Sequence, residues 1–249
     1  MKTGRVYTLQ FISIRRQSTV PTSHKGELTM LYLLSFVLLA CAGVQANTPF
    51  IVSSVDNEIP PPPPVDKAAQ YARYIVRNSD WCSLSHVSHQ NDVTKGYPMS
   101  RVFSFSDGPL SNSTGVPYLY TTFMDRGTRD LKTDVRSTIT ISLDQGTFCD
   151  DRKLDAEDPR CSQVILTGDF EFLEKGSDEW VWGQNALFVK HPAMKTWPES
   201  HNWIVGKLNI KFIELVDNVG GSKYPTVQEY FKASSEHPSA YLNKIPLTV

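Results

Sequence analysis

Arg136-Ser137-Thr138-Ile139-Thr140-Ile141-Ser142-Leu143 is the stretch on which the fold turns. Threonine and isoleucine fill it, and β-branched side chains favour extended backbone over helix. Five further segments rich in Val, Ile, Phe, Tyr and Thr, at 82–88, 101–106, 117–123, 162–174 and 203–217, extend this to a series of six predicted strands. Turn chemistry such as Ser106-Asp107-Gly108-Pro109 and Asn218-Val219-Gly220-Gly221 separates them. Ahead of them, Ala68, Tyr71, Ala72, Ile75 and Val76 recur at helical spacing and Asn78-Ser79-Asp80 is a stop, which predicts an amphipathic helix over 65–77. A second helix is predicted over 179–190, ended by His191-Pro192 because the residue before proline is pushed out of the helical region. Thr226-Val227-Gln228-Glu229 is a capping box that opens a short helix through Phe231. There is no internal repeat. Many strands and few helices predict one mainly β (α+β) domain, a closed or partly closed β-barrel with flanking helices.

The rest of the 249 residues frames this domain. Leu31 to Ala42 is almost wholly apolar and Val44-Gln45-Ala46 follows as a small-x-small cleavage site, so residues 1–46 read as a signal peptide with an upstream extension. The apolar run is far short of the roughly 20 residues that span a bilayer, so membrane insertion is not expected. Met1 with a long basic n-region and Met30 are both open as the start. Residues 47–64, with the run Pro60 to Pro64, predict an extended polyproline linker. Residues 65–235 are the expected folded domain and 236–249 a C-terminal tail. Cleavage after Ala46 would leave 20 basic and 25 acidic side chains, a formal charge of −5 that argues against a nucleic-acid partner. In an oxidising compartment Cys149 and Cys161 are the expected disulfide, closing a short acidic loop for roughly 3 kcal/mol in the chain-entropy model. Cys82 is then left over beside Trp81 and reads as a small buried hydrophobe.

Candidate chemistry is sparse. Asn112-Ser113-Thr114 is an N-glycosylation sequon in a Gly/Ser/Asn/Pro-rich loop and is expected to be occupied. His86 and His89 have the look of a metal pair, but on a strand their rings would point to opposite faces, and no acidic or cysteine cluster completes a site, so no metal is expected. Nucleophile elbow, phosphate-binding glycine loop, zinc spacing and kinase signatures are all missing. The run from Leu187 to Trp203 is the densest in unusual residues, with His191, Lys195, Trp197, His201 and Trp203 among them. It reads either as a pocket wall for a planar ligand or as a barrel-end plug, and aromatics are more often core than site.

That run resembles the CREG family, the cellular repressors of adenoviral early-gene activation. So do Ser79-Asp80-Trp81, Ser104 to Pro109, Gly115-Val116-Pro117-Tyr118, Thr147-Phe148-Cys149, Asp158-Pro159, Leu208-Asn209-Ile210 and Gly220-Gly221, a match running from about Ala68 to Phe231. The resemblance implies an FMN-binding-type split β-barrel related to pyridoxamine-phosphate-oxidase-like flavoproteins. It further implies a secreted, glycosylated, lysosome-associated homodimer without catalytic activity, linked to growth restraint and differentiation and to the mannose-6-phosphate/insulin-like growth factor II receptor. Loops 106–117 and 190–203 would then be free for a partner. An FMN-dependent oxidoreductase is the alternative. Related oxidases hold the flavin phosphate with Arg, Lys and hydroxyls, and Arg101, Thr121, Thr122, Arg126, Arg129 and Lys132 would form a remnant of that pocket, or else plain solvated charge. The oxidases' lysine shortly after the first arginine is missing. Ser106-Asp107 stand there, and Asp107 would repel a phosphate, so no cofactor is expected. Asn209-Ile210-Lys211 lacks a sequon that some relatives carry, which leaves Asn112 alone for any glycan-dependent receptor binding. Cys82 is unusual for the family and leaves an intermolecular disulfide open.

Overall fold

Alternation decides which side chains enter the core. In a computed structural model of the protein, which describes residues 61–233, strand β1 (Trp81–Val87) buries Cys82, Leu84 and His86 while its other residues face outward. Strand β4 (Arg136–Ser142) buries Ser137, Ile139 and Ile141 in the same way, and β5 (Gln163–Phe172) buries Val164, Leu166, Gly168 and Phe170. With β2 (Pro98–Ser106), β3 (Tyr118–Thr121) and β6 (Ile204–Val216) these form a closed antiparallel barrel in the order β1-β2-β3-β6-β5-β4. The pairing Leu84↔Ile139 between β1 and β4 completes the ring. The mainly β, split-barrel expectation is therefore met. The signal segment, most of the proline-rich linker and the tail 236–249 lie outside the described residues.

One irregularity re-aims β6. Thr167 faces Phe212 and Gly168 faces Ile210, so Lys211 is an extra residue and the inward positions change from Leu208 and Ile210 to Ile213 and Leu215. Such a bulge bends the strand and lets a sheet close. Gly168 permits it, because a Cβ there would stand 2.0 Å from the carbonyl oxygen of Asn209.

Helix α1 (Ala68–Arg77) lays Tyr71, Ala72, Ile75 and Val76 on the barrel, the face its spacing predicts. Burying each of the larger apolar side chains contributes about 1.5–3 kcal/mol. Helix α3 (Asp178–Lys190) covers a second cluster of Tyr118, Leu173, Trp180, Leu187, Met194 and Val205. Its Ser177 hydroxyl accepts from the Trp180 amide as an N-cap. Helix α4 (Val227–Ala233) begins with the reciprocal capping box, the Glu229 amide donating to Thr226 Oγ1 and the Thr226 amide to Glu229 Oε2. Helix α2 (Arg126–Thr133) is an element that sequence spacing does not announce, since it is short and mostly polar. The Cys149–Cys161 disulfide is formed, with Cα atoms 5.3 Å apart, and both residues are buried. Cys82 is fully buried in the core, and burial pushes its thiol pKa up, as suits a small hydrophobe.

Gly168→Ala is expected to cost about 2–3 kcal/mol, at the upper end of overpacking because the atom that must move is backbone. Urea denaturation measures it, and a loss below about 0.5 kcal/mol would mean that the bulge yields freely.

Candidate functional site

The residues expected to line a phosphate pocket lie around helix α2. Asp125 is its N-cap and accepts from the Thr128 amide at 3.0 Å. The other oxygen of that carboxylate takes the guanidinium of Arg101, which reaches across from β2. Arg126 is turned onto Asp92 at 2.8 Å and also donates to the Thr94 hydroxyl. Hydrogen bonds from Thr94 and Arg126 hold the Asp92 carboxyl down at about 2. Thr121 and Thr128 share a hydroxyl–hydroxyl bond. The Lys132 ammonium lies 5.0 Å from the centre of the Phe123 ring, and Arg129 donates to the carbonyls of Phe123 and Met124. Thr122 donates to the His201 carbonyl at 2.5 Å. The basic side chains are thus gathered at one barrel end, each engaged by another group of the same chain.

The histidines beside them differ from the alternation argument. β1 ends at Val87, so pleating no longer governs His89, and both rings meet α2 instead of diverging. His86 Nε2 stands 3.2 Å from Asp130 Oδ2, and His89 Nε2 stands 3.6 Å from Asp134, one helical turn further on. Asp130 is fully buried and also accepts from the His89 amide at 2.8 Å and from Gln90 at 2.6 Å. Gly127 makes room for this, since a Cβ there would lie 2.8 Å from His86 Cε1. Burial lowers the pKa of His86, against the pull of Asp130. Burial pushes Asp130 up, but the bonds from Gln90, His89 and His86 outweigh it and hold its carboxyl below the ordinary value.

Asp107 faces away from these cations, so it is not placed to repel an anion there. It is buried against Arg73 of α1, 3.6 Å away, and accepts from Ser113 Oγ at 2.5 Å and from the Gly115 amide at 3.1 Å. Arg73 donates to the carbonyl and hydroxyl of Ser113 at 2.8 and 2.7 Å and sits over the Tyr230 ring. This network folds the loop that carries Asn112, whose side chain is exposed.

The dense run divides by role. Lys190 donates to the carbonyl of Arg77, an orphan acceptor at the end of α1, and to that of Ser79 just beyond the helix, and His191 Nε2 lies 2.8 Å from the Phe105 carbonyl. Met194 is buried in the second core. Trp203 and Trp197 stack on Tyr120 at 5.1 and 6.1 Å, and His201 lies 5.5 Å from Trp203. Trp197 and Lys195 are exposed. One half of the run is a clamp and the other an aromatic surface.

Residues 63–232 match the family described as CREG, beta-barrel. The chain belongs to the CREG family. It is 36% identical over 180 residues to protein CREG1 of Mus musculus, covering 72% of this chain and 80% of that one. Against protein CREG1 of Homo sapiens the identity is 36% over 178 residues, with 72% and 80% covered. Among solved structures, a heme binding protein from Mycobacterium smegmatis superimposes with a TM-score of 0.54 at 21% identity, covering 66% of this chain and 60% of that one, which speaks for the shared fold. Within this CREG-family barrel no described helix is long and apolar enough to cross a membrane.

Arg73, Asp92, Asp125, Asp130 and Tyr230 escape sequence reasoning, because each looks like an ordinary surface or helix residue until its partner, far away in the chain, is known.

A pH dependence follows from His86. The unfolded chain protonates this imidazole near 6.5 while the folded chain resists, so its contribution is present above that pH and is lost as the pH falls below it. His86→Gln is expected to reduce stability at pH 7 and to flatten the fall between pH 6.5 and 5, by up to about 1.4 kcal/mol per pH unit, the full weight of one proton. Urea midpoints across that range test it, and parallel curves for both proteins would refute it.

Proposed function

We propose that this CREG-family chain is a secreted and endolysosomal glycoprotein, a homodimeric binding or signalling module without catalytic activity that acts in growth restraint and differentiation. The observation that carries this reading is the pairing of Arg101 and Arg126 with carboxylates of the same chain. A flavin phosphate is a dianion that needs charge-assisted donors left free to meet it. Here Arg101 is held by Asp125, Arg126 by Asp92, and Thr121 by Thr128. That donor set does not fit the phosphate without displacing two carboxylates, each of which would repel it. The function then lies on the surface. Asn112 and the exposed half of the 191–203 run are the parts that offer a glycan and an aromatic platform to a partner. The partner proposed is the mannose-6-phosphate/insulin-like growth factor II receptor, reached through a phosphorylated glycan on Asn112.

Two measurements on the secreted, purified protein decide between this reading and an FMN-dependent oxidoreductase. The visible spectrum is expected to show no flavin band, and added FMN to keep its fluorescence. Immobilised receptor is expected to capture the protein, with free mannose 6-phosphate and Asn112→Gln each abolishing capture. A bound flavin, or capture that ignores both treatments, would overturn the reading.

A further inference from the structure

The acceptor sequon is exposed at its asparagine and locked at its other two residues. Ser113 is buried, held by Arg73 through both its carbonyl and its hydroxyl. The Thr114 hydroxyl donates to the Asp107 carbonyl at 2.9 Å and accepts from the Val116 amide at 3.2 Å. The Thr114 amide donates to the same Asp107 carbonyl at 2.8 Å. An oligosaccharyltransferase needs that hydroxyl and that stretch of backbone for its own grip, because the threonine is half of what it recognises. The folded loop has already used them.

What shuts the loop comes from the far end of the chain. The Tyr230 hydroxyl donates to the Gly115 carbonyl at 2.8 Å, across 115 residues, and its ring supports Arg73. Gly115 has φ +82°, and a Cβ there would fall 1.4 Å from Arg73 Nη1, so the guanidinium fills the space a side chain would take. We propose that α4 ends a window for glycosylation: Asn112 is an acceptor only until Tyr230 and Arg73 close the 107–115 loop. Synthesis of the intervening chain takes on the order of ten seconds, during which the sequon is available. In that interval the Asn112 amide nitrogen bonds to the anomeric carbon of a polyprenyl-diphosphate oligosaccharide. The carbon–oxygen bond to the diphosphate breaks, the diphosphate leaves with the electron pair, and the amide proton passes to a base of the transferase. This rests on the glycoprotein reading above and adds the order of events.

The test uses the full domain made without glycan, its disulfide formed, with purified oligosaccharyltransferase and lipid-linked oligosaccharide. A peptide of residues 107–117 serves as the open acceptor. The folded protein is expected to be modified about 30-fold more slowly than the peptide, the ratio that two net hydrogen bonds sustain. Tyr230→Phe, which loses a single hydroxyl, is expected to regain about fivefold. Gly115→Ala is expected to approach the rate of a peptide with the same change. Circular dichroism confirms that both variants are folded, so that acceptance is not mere unfolding. A folded wild-type protein modified as fast as the peptide, folded variants no faster than wild type, or a peptide that is not accepted would each overturn the proposal. A secreted protein whose mass lacks the glycan, with the ranking in vitro intact, would defeat the glycoprotein reading and leave the loop latch standing.

Discussion

Pairing of β1 with both β2 and β4 is the constraint on which the rest of the molecule depends. Closing that ring pairs every described strand with two neighbours, although β2 meets β3 only at Phe105 and Ser106, so the barrel is split rather than continuously zipped. The interior is lined by the fully buried side chains of Leu84, Ile139, Ile141, Leu166, Leu208 and Ile213. The charged networks lie at the barrel ends and in the loops between strands. Each is closed differently: α2 lies across one polar end, and α1 with α4 holds the sequon loop.

Both closures use buried charge, and the same physics makes them demanding. A carboxylate taken out of water costs several kcal/mol unless hydrogen bonds replace its solvation. Asp130 is supplied by an amide, a glutamine and an imidazole, and Asp107 by an amide, a hydroxyl and a guanidinium. Pairs of this kind add little net stability but penalise any other arrangement of the same segments. They act as registers that fix where α2 and the 107–115 loop sit. Three glycines permit the close approaches: Gly127 under His86, Gly115 under Arg73, and Gly168 at the β6 bulge.

The same pairing changes the meaning of the basic residues near α2. Arg101 and Arg126 have the residue types of an anion site, yet each is paired with a carboxylate of the same chain, Asp125 and Asp92. Field from two arginines whose counter-charges lie within 4 Å decays quickly in salt water. Of the stacked rings Tyr120, Trp197 and Trp203, Trp197 is exposed and the other two are half-buried. Stacking on Tyr120 and contact with Trp203 support the exposed Trp197 ring.

The barrel was legible in the residue order, because strand periodicity, turn residues and capping boxes act over a few neighbouring positions. The six segments, α1, α3, the Thr226–Glu229 cap and the Cys149–Cys161 bridge could all be read from local pattern or from the number of cysteines. The run from His191 to Trp203 marked the family for the same reason, being a contiguous string. Which charges meet became visible only in the folded chain. Arg73 finds Ser113 across 40 residues, and Tyr230 finds Gly115 across 115. Helix α2 was hidden too, since it is mostly polar and is held by a cap, by His86 on β1 and by His89 just beyond it. Coulomb and hydrogen-bond energies depend on distance in space, and distance in space between remote residues is set by closure of the barrel, not by spacing along the chain.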